Sequence, residues 1–413
     1  MKRATAGLVF GLCSAAAVGA TPTPEEMWAI IQQQQAEIAR LKEQVASADE
    51  EIKETSVKVE ATASMMEESL VSGGQSLASS WTERTQIGSY GEMHYNNLEN
   101  QNGSGGDGDK DEIDFHRFVF FMGHEFSDKT RMFSEVELEH SVAGDGANGE
   151  VELEQAYIEH DLSSTMRMKA GLFLLPVGLL NQTHEPDTFY GVERNNVEKN
   201  IIPTTWWEGG LSLAGEIAPG WSYETAFTSG LKLDAEDGQF KIRDGRQKVS
   251  EADASDPAYT ANLKYTGVAG LELGATVQYQ QDIYQGDYSQ DVDAILYTAH
   301  VAWRRGPFGL RALAASWDID DAINDIAAGA DNQEGWYIEP SWMLLRDLGF
   351  FARYSEWDNQ AGSGGDTEFG EWNLGFNYWL EENVVFKLDY QFQDAPSEEK
   401  ELDGLNLGVG WSF

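Results

Sequence analysis

The last nine residues, Leu405-Asn406-Leu407-Gly408-Val409-Gly410-Trp411-Ser412-Phe413, constrain the fold more tightly than any other stretch. Apolar side chains fall at 405, 407, 409, 411 and 413, with small or polar residues between them. A strand sends successive side chains to opposite faces, so this period of two makes one face apolar and the other wet.

The alternation recurs throughout residues 85–413, in sixteen segments broken by Gly, Asp, Asn and Ser clusters. Leu271/Leu273/Ala275/Val277/Tyr279, Ile295/Tyr297/Ala299/Val301/Trp303 and Val384/Phe386/Leu388/Tyr390/Phe392 are clear apolar sets, and polar residues such as Thr276, Gln278, His300, Lys387 and Asp389 lie between them. Tight turns are expected at Ala218-Pro219-Gly220, Thr266-Gly267-Val268 and Arg305-Gly306-Pro307. Long acidic loops are expected at Asp107 to Glu112, Asp234 to Asp256, Asp318 to Asp331 and Asp358 to Thr367. Short turns alternating with long loops indicate a transmembrane barrel rather than a soluble sandwich, and about sixteen strands leave an aqueous lumen. The fold class expected is an all-β transmembrane barrel of about 16 antiparallel strands, preceded by an α-helical coiled coil.

The N-terminal part is organised differently. Lys2-Arg3, a small and apolar run to Ala17 and the small residues Val18-Gly19-Ala20 read as a signal peptide over 1–20. Cys13, the single cysteine, lies inside it, so the mature chain has no disulfide framework. Over 21–66, Ile31, Ile38, Val45, Ile52 and Val59 recur every seven residues, with Met27, Leu41 and Ala48 at the second core position. That is a coiled coil, expected in the periplasm and self-associating. Residues 67–84, rich in Ser, Gly, Ala and Glu, form a linker.

No later stretch supplies the roughly 20 apolar residues of a transmembrane helix. The negative mean hydropathy is compatible with membrane strands, because alternation averages the apolar band away. With 28 Lys+Arg against 70 Asp+Glu, the formal net charge of −42 argues against nucleic acid as a partner.

Between two good strands lies a stretch of about 35 residues, long enough to be functional rather than a simple connection. Lys169-Ala170-Gly171-Leu172-Phe173-Leu174-Leu175-Pro176-Val177-Gly178 leads into His184-Glu185-Pro186, then Phe189-Tyr190-Gly191-Val192-Glu193-Arg194-Asn195. It ends in Asn200-Ile201-Ile202-Pro203-Thr204-Thr205-Trp206-Trp207-Glu208. Three prolines stiffen it, and Phe189, Tyr190, Trp206 and Trp207 offer it a small packing core of its own. This stretch resembles the phosphate-selective porin O and P family of Gram-negative outer membranes, most sharply over Arg167 to Lys232. The resemblance implies a trimer of sixteen-stranded barrels in the outer-membrane lipid and a loop folded into the lumen as a constriction. It also implies anion selectivity and recognition of Phe413 by the outer-membrane barrel assembly machinery.

On that basis the constriction is expected to use His184, Glu185, Tyr190, Glu193, Arg194, Lys199, Trp206 and Trp207. The bland alternative has Arg194 and Lys199 pairing with Glu193, Glu198 and Glu208 to hold the loop's shape. Alternation makes Arg117, Arg167, Lys169, Lys264, Arg304, Arg311, Arg353 and Lys387 candidate lumen cations. Glu135, Glu137 and Glu139 on one strand and Glu150, Glu152 and Glu154 on the next form a carboxylate patch that repels phosphate locally. Selectivity is therefore open at this point.

Asp107-Gly108-Asp109-Lys110-Asp111 lacks the glycine and glutamate of a calcium loop. The seven histidines show no metal-ligand spacing, and no metal or cofactor is expected. No serine sits in a nucleophile-elbow motif, so no enzyme is expected. The function expected is passive diffusion of small hydrophilic solutes or ions, phosphate or other anions among them. The alternative is a structural tether reaching toward the cell wall through the coiled coil.

Overall fold

The computed structural model describes residues 83–413, except 104–106, 145, 147, 234–240 and 321–328. The expected signal peptide, the coiled coil and all but the end of the linker lie outside the described residues.

Sixteen antiparallel strands close into one barrel. In chain order they are β1 (Thr85–Asn100), β2 (Lys110–Ser127), β3 (Thr130–Glu139), β4 (Val151–Asp161), β5 (Met166–Leu174) and β6 (Trp207–Ala218). There follow β7 (Trp221–Thr228), β8 (Ala258–Val268), β9 (Leu271–Gln280), β10 (Ala294–Arg305) and β11 (Phe308–Ile319). The last are β12 (Asn332–Met343), β13 (Leu348–Asp358), β14 (Phe369–Glu381), β15 (Val384–Asp394) and β16 (Leu402–Ser412). Each strand pairs with its sequence neighbours, and β16 closes on β1 from Tyr90↔Ser412 to Asn100↔Leu402. Phe413 finishes the seam: its N–H donates to Ser89 O at 2.9 Å and its carbonyl accepts from Ser89 N at 3.1 Å. Closure gives every described strand a neighbour on both sides, the condition for crossing a bilayer with strands.

The alternation maps onto the two faces. On β9, Leu273, Val277 and Tyr279 are exposed while Thr276, Gln278 and Gln280 are buried inside. On β15, Phe386, Tyr390 and Phe392 are exposed while Lys387, Asp389 and Gln391 are buried. The outer aromatics pair across strands in two belts. One holds Phe227–Tyr259 at 5.1 Å and Trp336–Tyr354 at 5.4 Å, the other Trp221–Tyr265 at 4.8 Å and Phe350–Phe376 at 5.9 Å. Trp221 and Phe227 are separated by about 20 Å of strand, the scale of a barrel's lipid-facing band.

Connections alternate between short and long, with some boundaries shifted from expectation. Lys110 to Glu112 belong to β2, Asp318 to β11, and Thr266-Gly267-Val268 to β8. The turn after β8 is Ala269-Gly270, where Gly270 takes φ +77°, a left-handed conformation that favours glycine. The third long connection, residues 175–206, folds inward. Its Leu175, Val177, Ile201, Ile202 and Trp206 join a buried apolar cluster with Trp317, Tyr337 and Leu231.

Candidate functional site: the inner loop and the lumen wall

The inner loop is stapled at its neck. Asn181, fully buried, donates from Nδ2 to Leu175 O (2.8 Å) and Trp206 O (2.9 Å), and its Oδ1 accepts from Trp206 N at 2.7 Å. Glu198, in a single helical turn at Val197–Asn200, accepts from Leu179 N (2.6 Å), Leu180 N (2.7 Å), Asn195 Nδ2 (3.1 Å) and the Tyr337 hydroxyl (3.0 Å). These bonds satisfy backbone groups that burial would otherwise strand.

From there the loop crosses to the wall. Arg117 of β2 donates to His184 O at 2.7 Å, and Arg311 of β11 to Thr188 O at 2.7 Å. Asn377 of β14 donates to Phe189 O at 2.9 Å, and Asp389 of β15 accepts from Val192 N at 2.7 Å. Arg353 of β13 reaches Tyr190 O and Glu193 O, both at 3.3 Å. The aromatics dock on the wall rather than on one another, correcting the expectation of a self-contained core. Tyr190 stacks on Phe351 at 5.3 Å, Trp206 lies against Trp317 at 6.2 Å, and Lys387 Nζ sits 3.5 Å over Phe189. Trp207 is already the first residue of β6.

His184 is buried between Tyr90, Glu135 and Glu154. Its Nε2 is 2.7 Å from the Tyr90 hydroxyl and its Nδ1 is 3.1 Å from Asn181 O. A carbonyl only accepts, so Nδ1 carries the proton, and the Tyr90 hydroxyl lies within donating distance of both Nε2 and Glu135 Oε1, the latter at 3.1 Å. Burial, with Arg194 and Arg117 nearby, pushes the imidazole pKa down to about 4. Burial alone would raise the Glu193 carboxyl, but His94, 3.0 Å away, holds it well below the usual range. Glu185 is half-buried in the same segment.

The wall cations are largely neutralised. Arg117 pairs with Glu92 (2.6 Å), Lys169 with Glu224 (3.1 Å), Lys264 with Glu272 (3.2 Å), Arg353 with Glu339 (3.3 Å) and Arg167 with Glu159 (3.5 Å). Arg117, Arg353 and Lys387 are buried under the loop, so they fasten it instead of facing the open lumen. Arg304 and Arg311 line a cavity of about 1050 Å³ between the loop's tip and the short turns, with Arg346, Asp347, Glu381 and Glu382. On the opposite wall β3 and β4 are neighbours, with Glu137 directly opposite Glu152. Glu135, Glu137 and Glu154 are buried, and Glu139 and Glu152 half-buried. Glu150 lies outside the strand and, with Glu152, takes Lys248.

The loop cations behave differently. Glu193, Glu198 and Glu208 bind His94, backbone amides and indole or amide donors instead of Arg194 and Lys199. Arg194 donates to Thr205 Oγ1 at 2.8 Å, and Arg246, from the next long loop, to Thr205 O at 2.7 Å. A 3₁₀ turn at Ile242–Gly245 anchors that second loop through the buried Ile242 and presents Arg243 beside Arg246. Among the described residues, Arg194, Lys199, Arg243 and Arg246 have no carboxylate in ion-pair contact. Arg243 and Arg246 escaped the alternation reading because they lie on no strand. The signal was Lys241-Ile242-Arg243-Asp244-Gly245-Arg246-Gln247-Lys248, a basic run inside an acidic chain.

A closed barrel with a lipid-facing band, a polar wall and an inward loop defines a transmembrane β-barrel channel. The Gram-negative porin family matches residues 61–396, and the chain belongs to it. It is thus an outer-membrane channel for small solutes, and family and fold point away from an enzyme. An uncharacterized protein of Aquifex aeolicus (strain VF5) is 29% identical over 358 residues, covering 79% of each chain. Among solved structures, the anion-selective porin from Comamonas acidovorans superposes with a TM-score of 0.56 at 11% identity, covering 80% of this chain and 100% of that one. OmpT of Vibrio cholerae in its trimer form gives 0.53 at 10% identity, covering 80% and 100%. These two likenesses concern the fold.

Proposed function

We propose that this porin passes small hydrophilic anions, phosphate among them, by passive diffusion, with loop 175–206 as its constriction. One observation carries the reading: Arg194 and Arg246 converge on Thr205 with no carboxylate in ion-pair contact among the described residues, whereas the wall cations beside the lumen are mostly paired. Arg246 lies near Arg194 and Arg243, Lys199 near Arg243, Arg194 near Glu137 and Arg246 near Glu152. On this reading they form a basic track against the Glu137/Glu152 wall, and a field across the lumen orients polar solutes as they pass. The resemblance to phosphate-selective porins over residues 167–232 agrees with this track.

On this reading the chain works as a homotrimer, clamped from the periplasmic side by the coiled coil at 21–66. Phe413 serves as the recognition residue for barrel assembly. Planar-bilayer recording tests the channel and its constriction together. Discrete conductance steps are expected, and deletion of residues 183–200 is expected to enlarge them. Absence of steps, or unchanged step size in the deletion variant, contradicts the reading.

A further inference from the structure

Three histidines that no sequence spacing links meet at one end of the lumen. The β1–β2 register shifts between Glu92↔Arg117 and His94↔Asp114, so Phe115 and His116 together oppose Met93. Such a bulge re-aims a side chain. Phe115 contacts Trp411, whereas His116 stacks on the buried His94, with ring centroids 4.8 Å apart and planes 14° from parallel. His140, just past β3, donates its N–H to His116 O at 3.2 Å and takes φ +51°, in the left-handed region that non-glycine residues seldom enter. Its Nδ1 then lies 2.9 Å from both oxygens of Asp114, while His116 Nδ1 lies 3.4 Å from Oδ2. The three donor atoms fall within 4.8 Å of one another.

We propose that Asp114, His116 and His140 form a binding site for one divalent transition-metal ion, Zn²⁺ being the suitable probe. Two imidazoles and a carboxylate are the donor set of zinc, copper and nickel sites, whereas calcium and magnesium take oxygen donors. Metal–ligand bonds of about 2.0–2.2 Å need donor separations close to those the side chains already hold. The ligands are partly open to solvent, with side-chain exposures of 22%, 34% and 38%, so an ion can enter and water can complete its coordination. His94 supports the site from behind. Its two nitrogens are taken by Glu92 (3.2 Å) and Glu193 (3.0 Å), which fixes the ring His116 stacks on and connects the site to the inner loop.

The test is calorimetric titration of the tag-free, detergent-solubilised full chain with ZnCl₂ in excess calcium. Saturable uptake of one ion per chain is expected, weakened at least about tenfold in His140→Gln and in His116→Gln. Co²⁺ loading should give visible d–d absorption in the wild type that both variants lose. His140 lies in a solvent-exposed connection, so His140→Gln tests the site even if His116→Gln fails to fold. The proposal is overturned if no saturable uptake occurs, if calcium abolishes it, or if His140→Gln binds Zn²⁺ like the wild type.

Discussion

Arg194 and Arg246 reach the same residue from different loops, one donating to the Thr205 hydroxyl at 2.8 Å and the other to its carbonyl at 2.7 Å. Two guanidinium groups this close repel, and burial adds to the cost of their charge. Among the described residues no carboxylate pairs with them directly, although Glu137 lies near Arg194 and Glu152 near Arg246, and on the proposed reading a passing anion supplies further counter-charge. Replacing both with Gln should lower chloride-over-potassium permeability by roughly twofold or more without closing the pore. Ion-substitution recordings on reconstituted channels would measure this, and an unchanged ratio would remove both arginines from selectivity.

Glu198 holds the neck of the inner loop. Its carboxylate accepts from Leu179 N, Leu180 N, Asn195 and Tyr337 and is fully buried. Glu198→Ala strands two backbone donors at about 1–3 kcal/mol each. The variant should show noisier conductance and new protease cleavage within 175–206 while the barrel stays intact. Glu198→Gln, which keeps an acceptor, should be milder. Equal protease resistance in all three proteins would contradict the neck's role.

Arg353 ties Glu339 (3.3 Å) and Asn373 (3.0 Å) to two carbonyls of the loop, and its side chain is 2% exposed. Arg353→Met leaves the carboxylate of Glu339 buried without a counter-ion, a loss of about 3–5 kcal/mol. Adding Glu339→Gln should restore much of the thermal stability. If the double variant melts no higher than the single one, the pair is not the source of the loss.

His184 supplies a pH signature. Its imidazole titrates at about 4 in the folded loop against an ordinary value of 6.5. Between these values the unfolded chain takes up a proton that the folded one refuses, so this residue's contribution to stability falls as pH drops from about 6.5 to about 4 and levels off below. Melting curves of the wild type and His184→Gln should converge across that window. Parallel curves would show that His184 does not account for the change.

The barrel itself was legible because lipid and lumen impose opposite demands on adjacent side chains. The pattern from Leu271 to Tyr279 states a strand with two faces, and the closing strand at 402–412 does the same. The inner loop was legible from its length and its proline- and aromatic-rich sequence. What its residues touch was not, because each contact is long-range: Glu198 meets Tyr337 and Arg353 meets Glu193 only after closure. Alternation assigned Arg117, Arg353 and Lys387 to the lumen side, yet could not show that the loop covers them. The histidine cluster was hidden for another reason. A single-residue bulge in β2 breaks the period of two, and it is the bulge that aims His116 inward.

The central claim, an outer-membrane channel whose loop cations favour anions, is tested most directly by the zero-current potential across a planar bilayer under a KCl gradient, repeated with potassium phosphate. The account predicts a potential with the sign of anion preference in both salts, reduced when Arg194 and Arg246 are replaced together. A potential of the opposite sign in the wild type would mean that the glutamate wall of β3 and β4 governs the pore, and would contradict it.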